Sequence, residues 1–174
     1  MFEEKIGNHV LIPDDLEVSA MEFVVISQYL QTGEFTPRLI EKPGSLRRLE
    51  DVFLSEHKDN VAQKIAMVFN TASKLEMGTL QSHALDKLRI MHPLSPLGLM
   101  IVTKIISQSK PWNKEIEDEA EGWIVDHIAE YFWRQVSESG PALSRIMRES
   151  ASLRSAIIRR LAENPDMGSA GLDD

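Results

Sequence analysis

The sequence predicts a mainly α-helical fold, and three observations support this prediction. Apolar residues recur at spacings of three and four along most of the chain, which is the period of an amphipathic helix. Capping residues, glycines and prolines divide these stretches into segments of helical length. A short apolar and β-branched run at residues 9–12, ended by Pro13, predicts one short strand before the helices.

The composition is typical of a soluble globular protein and argues against several classes of function. The 174 residues include 19 Lys or Arg and 27 Asp or Glu, so the net charge is −8, which argues against a general nucleic-acid binder. There is no cysteine, which excludes disulfides, thiolate metal sites and a cysteine nucleophile. A reducing compartment is therefore expected, the cytoplasm or the nucleus. No apolar run approaches the roughly 20 residues that cross a membrane, so no membrane association is expected.

The first predicted helix covers residues 16–31. Asp14 and Asp15 precede it and offer capping oxygens, and Gly33 follows it and suits the left-handed conformation that ends a helix. Its apolar residues surround nearly the whole helix. Such a pattern is typical of a helix that is buried between other elements.

The middle of the chain contains one short predicted helix and three longer ones. The short one lies near residues 46–53, where apolar residues have helical spacing between loop signals. The longer ones cover, in chain order, residues 61–76, 80–91 and 97–109. Their predicted N-terminal residues are Asp59 or Asn60, Thr79, and Pro96 in the first turn.

The last third is also predicted to be helical. Asn113 caps a long helix that runs to about residue 137, and Gly140 and Pro141 then break the chain. Two shorter helices are expected at residues 142–148 and 152–162. The remaining residues, 164–174, are small and polar and are expected to be disordered.

The search for chemical motifs finds no strong pattern. The phosphate-binding glycine loops, the serine nucleophile elbow, the zinc-protease helix and the calcium loop are all absent from the sequence. We therefore predict no enzymatic activity, no cofactor and no metal. One alternative is a small helical enzyme or metal protein centred on Asp126, His127 and Glu130, which lie close together on the long predicted helix.

A charge contrast in the last third offers a second alternative. Residues 111–139 carry a net charge of −6, whereas residues 140–163 carry +3. The arginines of the second segment are Arg145, Arg148, Arg154, Arg159 and Arg160. We expect the two segments to pack together with complementary faces. The alternative is that the arginines bind an acidic partner, which would make the chain a regulatory nucleic-acid-associated subunit. No aromatic or glycine motif accompanies these arginines, so nucleic acid is an unlikely partner.

Two stretches of the chain carry motifs of one known family. In the first, Leu-Ile-Pro-Asp-Asp at residues 11–15 leads to Met-Glu-Phe-Val-Val at 21–25 and Tyr-Leu-Gln-Thr-Gly-Glu-Phe at 29–35. The second joins Ala-Ser-Lys-Leu-Glu-Met-Gly-Thr-Leu-Gln at 72–81 to Ala-Leu-Asp-Lys-Leu at 84–88. In order and spacing these stretches resemble a strand, a helix and the next helical hairpin of BTB/POZ domains, in the style found in filamentous fungi.

The resemblance extends over about residues 7–91 and implies a domain organisation and a function. Residues 1–92 would form the C-terminal half of a BTB/POZ-like domain, residues 93–163 a helical extension similar to BACK helices, and residues 164–174 the tail. The N-terminal half of the family fold, which carries much of its dimer surface, is expected to be absent, so cullin binding is not expected. The implied function is a protein–protein interaction module, a scaffold or adaptor.

The expected absence of that half suggests where a partner binds. Apolar residues that it would cover need another cover, and an exposed apolar patch marks an interface. The predicted protein-binding residues are Val10, Ile12, Phe23, Val24 and Tyr29, with Trp133 as an outlying aromatic anchor. The expected partner is a protein, either a second copy of the chain or a different polypeptide.

Overall fold

The helical class predicted from the sequence is confirmed by a computed structural model. It describes residues 18–40, 47–50, 52, 55–108 and 112–164. Within these residues the helices are α1 Ala20–Thr32, α2 Ser55–Lys74, α3 Gly78–Ile90, α4 Pro96–Ile106, α5 Lys114–Glu130, α6 Phe132–Glu149 and α7 Ala151–Glu163. Two short strands, β1 Leu39–Ile40 and β2 Arg48–Leu49, pair antiparallel with Leu39 opposite Leu49.

The core is built mainly by α2, which packs against both α3 and α4. The helix α4 also packs on α6, and α5 packs on α7. The apolar side chains of all seven helices join one cluster, with Phe69, Leu88, Leu99 and Ile128 almost completely buried. This cluster includes residues on both sides of the predicted domain boundary at 92/93. Within the described residues, no helix is both long enough and apolar enough to cross a membrane.

The start of α1 is set by a local capping box. The Ser19 hydroxyl accepts a hydrogen bond from the backbone N–H of Glu22, and the Glu22 carboxylate accepts one from the Ser19 N–H at 2.8 Å. The side chain of each residue thus accepts a hydrogen bond from the backbone N–H of the other residue. The prediction that this helix begins at residue 16 is therefore wrong for residues 18 and 19. Gly33 ends the helix with φ 72°, as predicted.

Two predictions in the next segment are wrong because long-range contacts override local spacing. Residues 48 and 49, which were expected in a short helix, pair with β1 instead, and this pairing buries Leu49. The helix α2 begins at Ser55, six residues before the predicted start, so Asp59 does not cap it. The Asp59 carboxylate instead accepts hydrogen bonds from the N–H and the hydroxyl of Ser95, which caps α4.

The contact between α2 and α4 is unusually close at this point. A Cβ atom added to Gly98, in the first turn of α4, would overlap the carboxylate of Asp59. Glycine is therefore required here for the approach of the two helices. The N-terminus of α3, by contrast, has no side-chain cap, so the prediction that Thr79 caps it is wrong.

The C-terminal helices differ from the prediction at their junctions. Asn113 caps α5 as predicted, with its side chain accepting from the Ile116 N–H, but the helix ends at Glu130 because Tyr131 leaves helical geometry. The expected break at Gly140 and Pro141 is a kink inside α6, with non-helical angles at Ser139. A proline lacks the N–H that would bond the carbonyl four residues earlier, and a local kink accommodates this loss.

A buried lysine ties the segment after α1 to α3. The ammonium of Lys87, whose side chain is 0% exposed, donates to Glu34 Oε1 at 2.5 Å and to the backbone carbonyl of Pro37 at 2.7 Å. It also donates to the carbonyl of Phe35 and lies 3.5 Å from the centre of the Phe35 ring. Burial lowers the pKa of Lys87, and the bond with Glu34 opposes this change. The three acceptors compensate for the removal of a charge from water.

Glu34 is the partner that makes this burial possible. Its carboxylate accepts hydrogen bonds from Lys87, from His83 Nε2 at 2.7 Å and from the Phe35 N–H at 2.8 Å. Partial burial raises the pKa of Glu34, but these hydrogen bonds outweigh it and lower the pKa to about 2. The segment that follows α1 is therefore fixed by charge-assisted hydrogen bonds.

We expect Lys87→Met to lower the free energy of unfolding by about 2–4 kcal/mol. The substitution keeps most of the apolar volume but leaves Glu34 and two backbone carbonyls without their donor. Urea denaturation followed by circular dichroism at pH 7 measures the change. Lys64→Met, at an exposed position of α2, is the matched control and should change the value by less than about 0.5 kcal/mol. Equal effects of the two variants would contradict this account of Lys87.

Candidate functional site

The outer side of α1 exposes several large apolar side chains, with the polar side chains of Ser27 and Gln31 between them. Only Ile26 of this helix is buried, so the prediction of a helix covered on nearly all sides is wrong for residues 20–32. Four large apolar residues form what we call the α1 face: Met21 at 58% exposure, Phe23 at 44%, Val24 at 63% and Leu30 at 53%. Together they expose on the order of 400 Å² of apolar surface, the size at which the largest patch of a monomer is often functional.

Polar contacts near both ends of α1 tie the helix to neighbouring segments. Glu22 accepts a hydrogen bond from the Thr71 hydroxyl on α2. The Gln28 side chain donates to the Thr36 hydroxyl at 3.0 Å and accepts from the Thr36 N–H at 3.1 Å. Glu22 is the only Asp, Glu, Lys, Arg or His residue of α1. Because it faces Thr71, the α1 face itself carries no charge.

The structure separates the residues that the sequence proposed for this surface. Phe23 and Val24 lie on the α1 face, whereas Tyr29 is half-buried and packs against the core, with its ring 6.0 Å from that of His83. Val10 and Ile12 lie outside the described residues. Three further predictions concern residues outside the described ranges. They are the strand at residues 9–12, the disorder of residues 165–174, and the capping roles of Asp14 and Asp15.

Sequence reasoning missed two members of the α1 face. At 100° per residue, Leu30 projects within about 20° of Phe23 around the helix, and Met21 within about 60° of Val24. A helical projection would therefore have grouped them with the two predicted residues. Trp133 is exposed on α6, with its ring 5.2 Å from that of Phe132, as expected for a residue outside the apolar stripe. Its role as an anchor stays a prediction.

The group predicted as an alternative catalytic or metal centre is dispersed. Asp126, His127 and Glu130 each face a different partner. Asp126 pairs with Arg160, and Glu130 pairs with His92. His127 accepts a hydrogen bond from the Leu94 backbone N–H. Among the residues that the structure describes, no three histidine or carboxylate side chains are grouped to hold a metal ion. The alternative of a metal or catalytic centre on these three residues therefore has no geometric support.

His127 is a buried neutral side chain. It is 2% exposed, and its ring lies 4.2 Å from that of His92 and 5.7 Å from that of Tyr131. Its Nε2 accepts a hydrogen bond from the Leu94 N–H at 3.3 Å. Burial, assisted by the nearby His92 and Lys58, lowers the pKa of His127 to about 3. The imidazole therefore fixes the turn between α3 and α4 by packing and by accepting one hydrogen bond.

The five arginines do not pair with the acidic segment in the way expected. Arg160 on α7 binds Asp126 on α5, with 2.6 Å between Nε and the carboxylate. The other four are exposed and form no ion pair with a described residue: Arg145, Arg148, Arg154 and Arg159. The two segments do pack together, through α5 and α7, but only one of these arginines contributes a charge pair between them.

Comparisons with known proteins do not identify a family. No family model matches the chain, and neither a curated protein nor a solved structure matches it significantly. The BTB/POZ resemblance therefore remains a prediction that rests on the motifs within residues 11–35 and 72–88. The function has to be inferred from the surface and the geometry of the described residues.

We expect the stability of the protein to fall by up to about 2 kcal/mol between pH 7 and pH 5 because of His127. Its pKa is about 3 in the folded chain and about 6.5 in an unfolded one, so the unfolded chain binds more protons in this range. The stability is present above pH 6.5 and is lost as the pH falls towards 3. Urea midpoints at pH 7, 6 and 5 measure the slope.

The variant His127→Gln isolates this contribution. Glutamine keeps an acceptor for the Leu94 N–H but does not titrate, so the slope between pH 7 and 5 should become nearly flat. His57→Gln, at an exposed position of α2, is the matched control and should keep the wild-type slope. The assignment to His127 is wrong if both variants have the same slope as the wild type.

Proposed function

We propose that the chain is a protein-interaction module, a scaffold or adaptor without catalytic activity, that self-associates through the α1 face. The observation that carries the proposal is the exposure of four large apolar side chains on one uncharged helix side. Water contact with such a surface is unfavourable, and burial of it against a protein is the ordinary remedy. The contacts of Glu22 with Thr71 and of Glu34 with Lys87 orient this surface relative to the core.

The charge distribution favours a second copy of the chain as the protein that binds the α1 face. The chain has a net charge of −8, so two copies repel each other in most relative orientations. The α1 face carries no charge, and it therefore allows close approach without placing like charges together. Two such faces related by a twofold axis would each meet the same apolar residues, as in most homodimers.

The area of the face limits the strength of this association. Two α1 faces together bury on the order of 800 Å², less than the roughly 1,200 Å² of stable specific interfaces. The expected dimer is therefore reversible, with a dissociation constant in the micromolar range or weaker. A module of this kind forms and dissolves with its local concentration, which suits an adaptor.

One sequence observation supports the same class of function, and another bears on the compartment. The BTB/POZ resemblance implies a protein–protein interaction module, independently of the α1 face. The absence of cysteine suits a reducing compartment, and we place the protein in the cytoplasm or the nucleus.

The exposed arginines offer a less favoured binding surface. Exposed charged side chains are common on soluble proteins and cost little, because water solvates them. Exposed large apolar residues on one helix are less common, and they carry more information about binding. The overall acidity of the chain also opposes a nucleic-acid partner at long range.

We expect Val24→Asp to abolish self-association, because it places two like charges at the centre of the proposed interface. Light scattering over a dilution series from about 10 μM to 1 mM measures the average mass. Val24 is the most exposed residue of the α1 face, so the variant should stay folded. Ile158→Asp is the matched control, since Ile158 on α7 is 55% exposed and lies on another helix.

The outcomes distinguish the parts of the proposal. A concentration-dependent mass that Val24→Asp abolishes and Ile158→Asp preserves supports it. A wild-type chain that stays monomeric up to about 1 mM contradicts the second copy as occupant. A dimer that both variants preserve shows that self-association uses another surface.

A further inference from the structure

Lys58 lines a cavity of about 330 Å³ where α2, the turn between α3 and α4, and the start of α6 meet. The residue is half-buried, and its ammonium donates a hydrogen bond to the backbone carbonyl of Pro93 at 2.8 Å. This bond holds the end of the side chain against the turn, near the apolar wall formed by Leu94 and Pro96. The amine is therefore fixed beside a partly apolar cavity that has room for a small molecule.

The Lys58 ammonium has no countercharge close to it. The acidic residue that lines the same cavity, Asp59, accepts hydrogen bonds from the N–H and the hydroxyl of Ser95. Within the part of the chain that the structure describes, Lys58 forms no ion pair. A positive charge is thus partly removed from water, and the neutral carbonyl of Pro93 is its hydrogen-bond acceptor.

This environment favours the neutral amine. Burial lowers the pKa of Lys58, and the negative charge of Asp59 opposes this change without cancelling it. The neutral amine is the nucleophilic form of a lysine, and partial removal from water is a common way of activating it. It keeps two N–H groups, so one of them can stay on the Pro93 carbonyl while the lone pair is free to attack a carbon atom.

The surroundings also limit which product suits this position. A neutral imine has no N–H for the Pro93 carbonyl, and a protonated imine restores the positive charge. A carbamate, formed with carbon dioxide, places a negative charge beside Asp59. An amide is neutral and keeps one N–H for Pro93, and a short acyl group suits the wall formed by Leu94 and Pro96. Acylation is therefore the modification that fits Lys58.

We propose that Lys58 is a preferred acylation site, which accepts a short uncharged acyl group from a small thioester. The ammonium first gives one proton to water. The Nζ lone pair then attacks the thioester carbonyl carbon, a C–N bond forms and the C–S bond breaks. The thiolate leaves with the electrons of the C–S bond, and the second proton lost by the nitrogen converts it to a thiol. The reaction does not involve the α1 face, so the two proposals can fail separately.

Acetylation of the full chain by S-acetyl-N-acetylcysteamine, a small uncharged thioester, tests the proposal. Mass spectrometry of the digested protein measures the initial rate at each lysine at about pH 8. Lys64, exposed on the same helix, is the matched reference. We expect Lys58 to react at least about threefold faster than Lys64 in the folded chain, and the ratio to fall to about one in guanidinium chloride.

A succinyl thioester tests the part played by the cavity wall. Its acyl group carries a carboxylate towards Asp59 and the apolar side chains of Leu94 and Pro96. This charge is poorly solvated there, so the ratio of the rates at Lys58 and Lys64 should fall below about twofold.

A pair of variants tests the part played by charge. Arg134 also lines the cavity and is paired with Glu138 on the partly exposed side of α6. Arg134→Glu adds a negative charge that favours the ammonium form of Lys58, so the acetylation ratio should fall about twofold. Arg145→Glu makes the same change of charge at an exposed position of α6 outside the cavity and should leave the ratio unchanged. Circular dichroism checks that both variants fold, and the wild-type measurements decide the question if Arg134→Glu does not.

Four results would overturn the proposal. The first is acetylation of Lys58 that is no faster than that of Lys64 in the folded chain. The second is a preference that persists after unfolding, because neighbouring sequence and not the cavity would then cause it. The third is an equal preference with the acetyl and succinyl thioesters, and the fourth is an equal effect of Arg134→Glu and Arg145→Glu.

Discussion

The buried ammonium of Lys87 is the interaction on which the position of α1 depends. A charge that is removed from water needs acceptors on several sides, and Glu34, Phe35 and Pro37 supply them within four consecutive residues. These residues follow the end of α1 directly. If this segment moved away from α3, it would leave a buried charge without compensation, so the chain has one stable path after the helix.

The α1 face is a consequence of this constraint. The helix is held near its start by Glu22 and Thr71 and beyond its end by Glu34 and Lys87. Both contacts lie on the side that faces α2 and α3, so the outer side is left without a neighbour among the described residues and presents its apolar residues outward. The polar contacts thus determine the orientation of a surface in which they take no part.

The fold was predictable where local signals decide it, and not where distant residues compete. Asn113 caps α5 and Gly33 ends α1, because capping depends on residues within one turn. Asp59 has the same capping chemistry, yet it binds Ser95, 36 residues away. Leu49 has helical spacing, but strand pairing decides its conformation. Spacing alone carries no information about such distant partners.

The candidate site shows the same limit. The apolar pattern identified Phe23 and Val24, and the structure places both of them on the exposed side. Tyr29 belongs to the same pattern but faces His83. Periodicity indicates which residues are apolar on a helix, whereas neighbouring helices decide which of these residues they cover. A cavity beside Gln135 is formed by three separate segments of the chain, and no local motif indicates it.

The close approach at Gly98 has an evolutionary consequence. A side chain at this position would collide with the Asp59 carboxylate that binds Ser95, so a substitution at one position is tolerated only with a change at the other. Divergent relatives should therefore show covariation between an acidic residue and a Ser-x-x-Gly motif that follows it 36 residues later. This paired pattern could identify homologues after the remaining sequence similarity has disappeared.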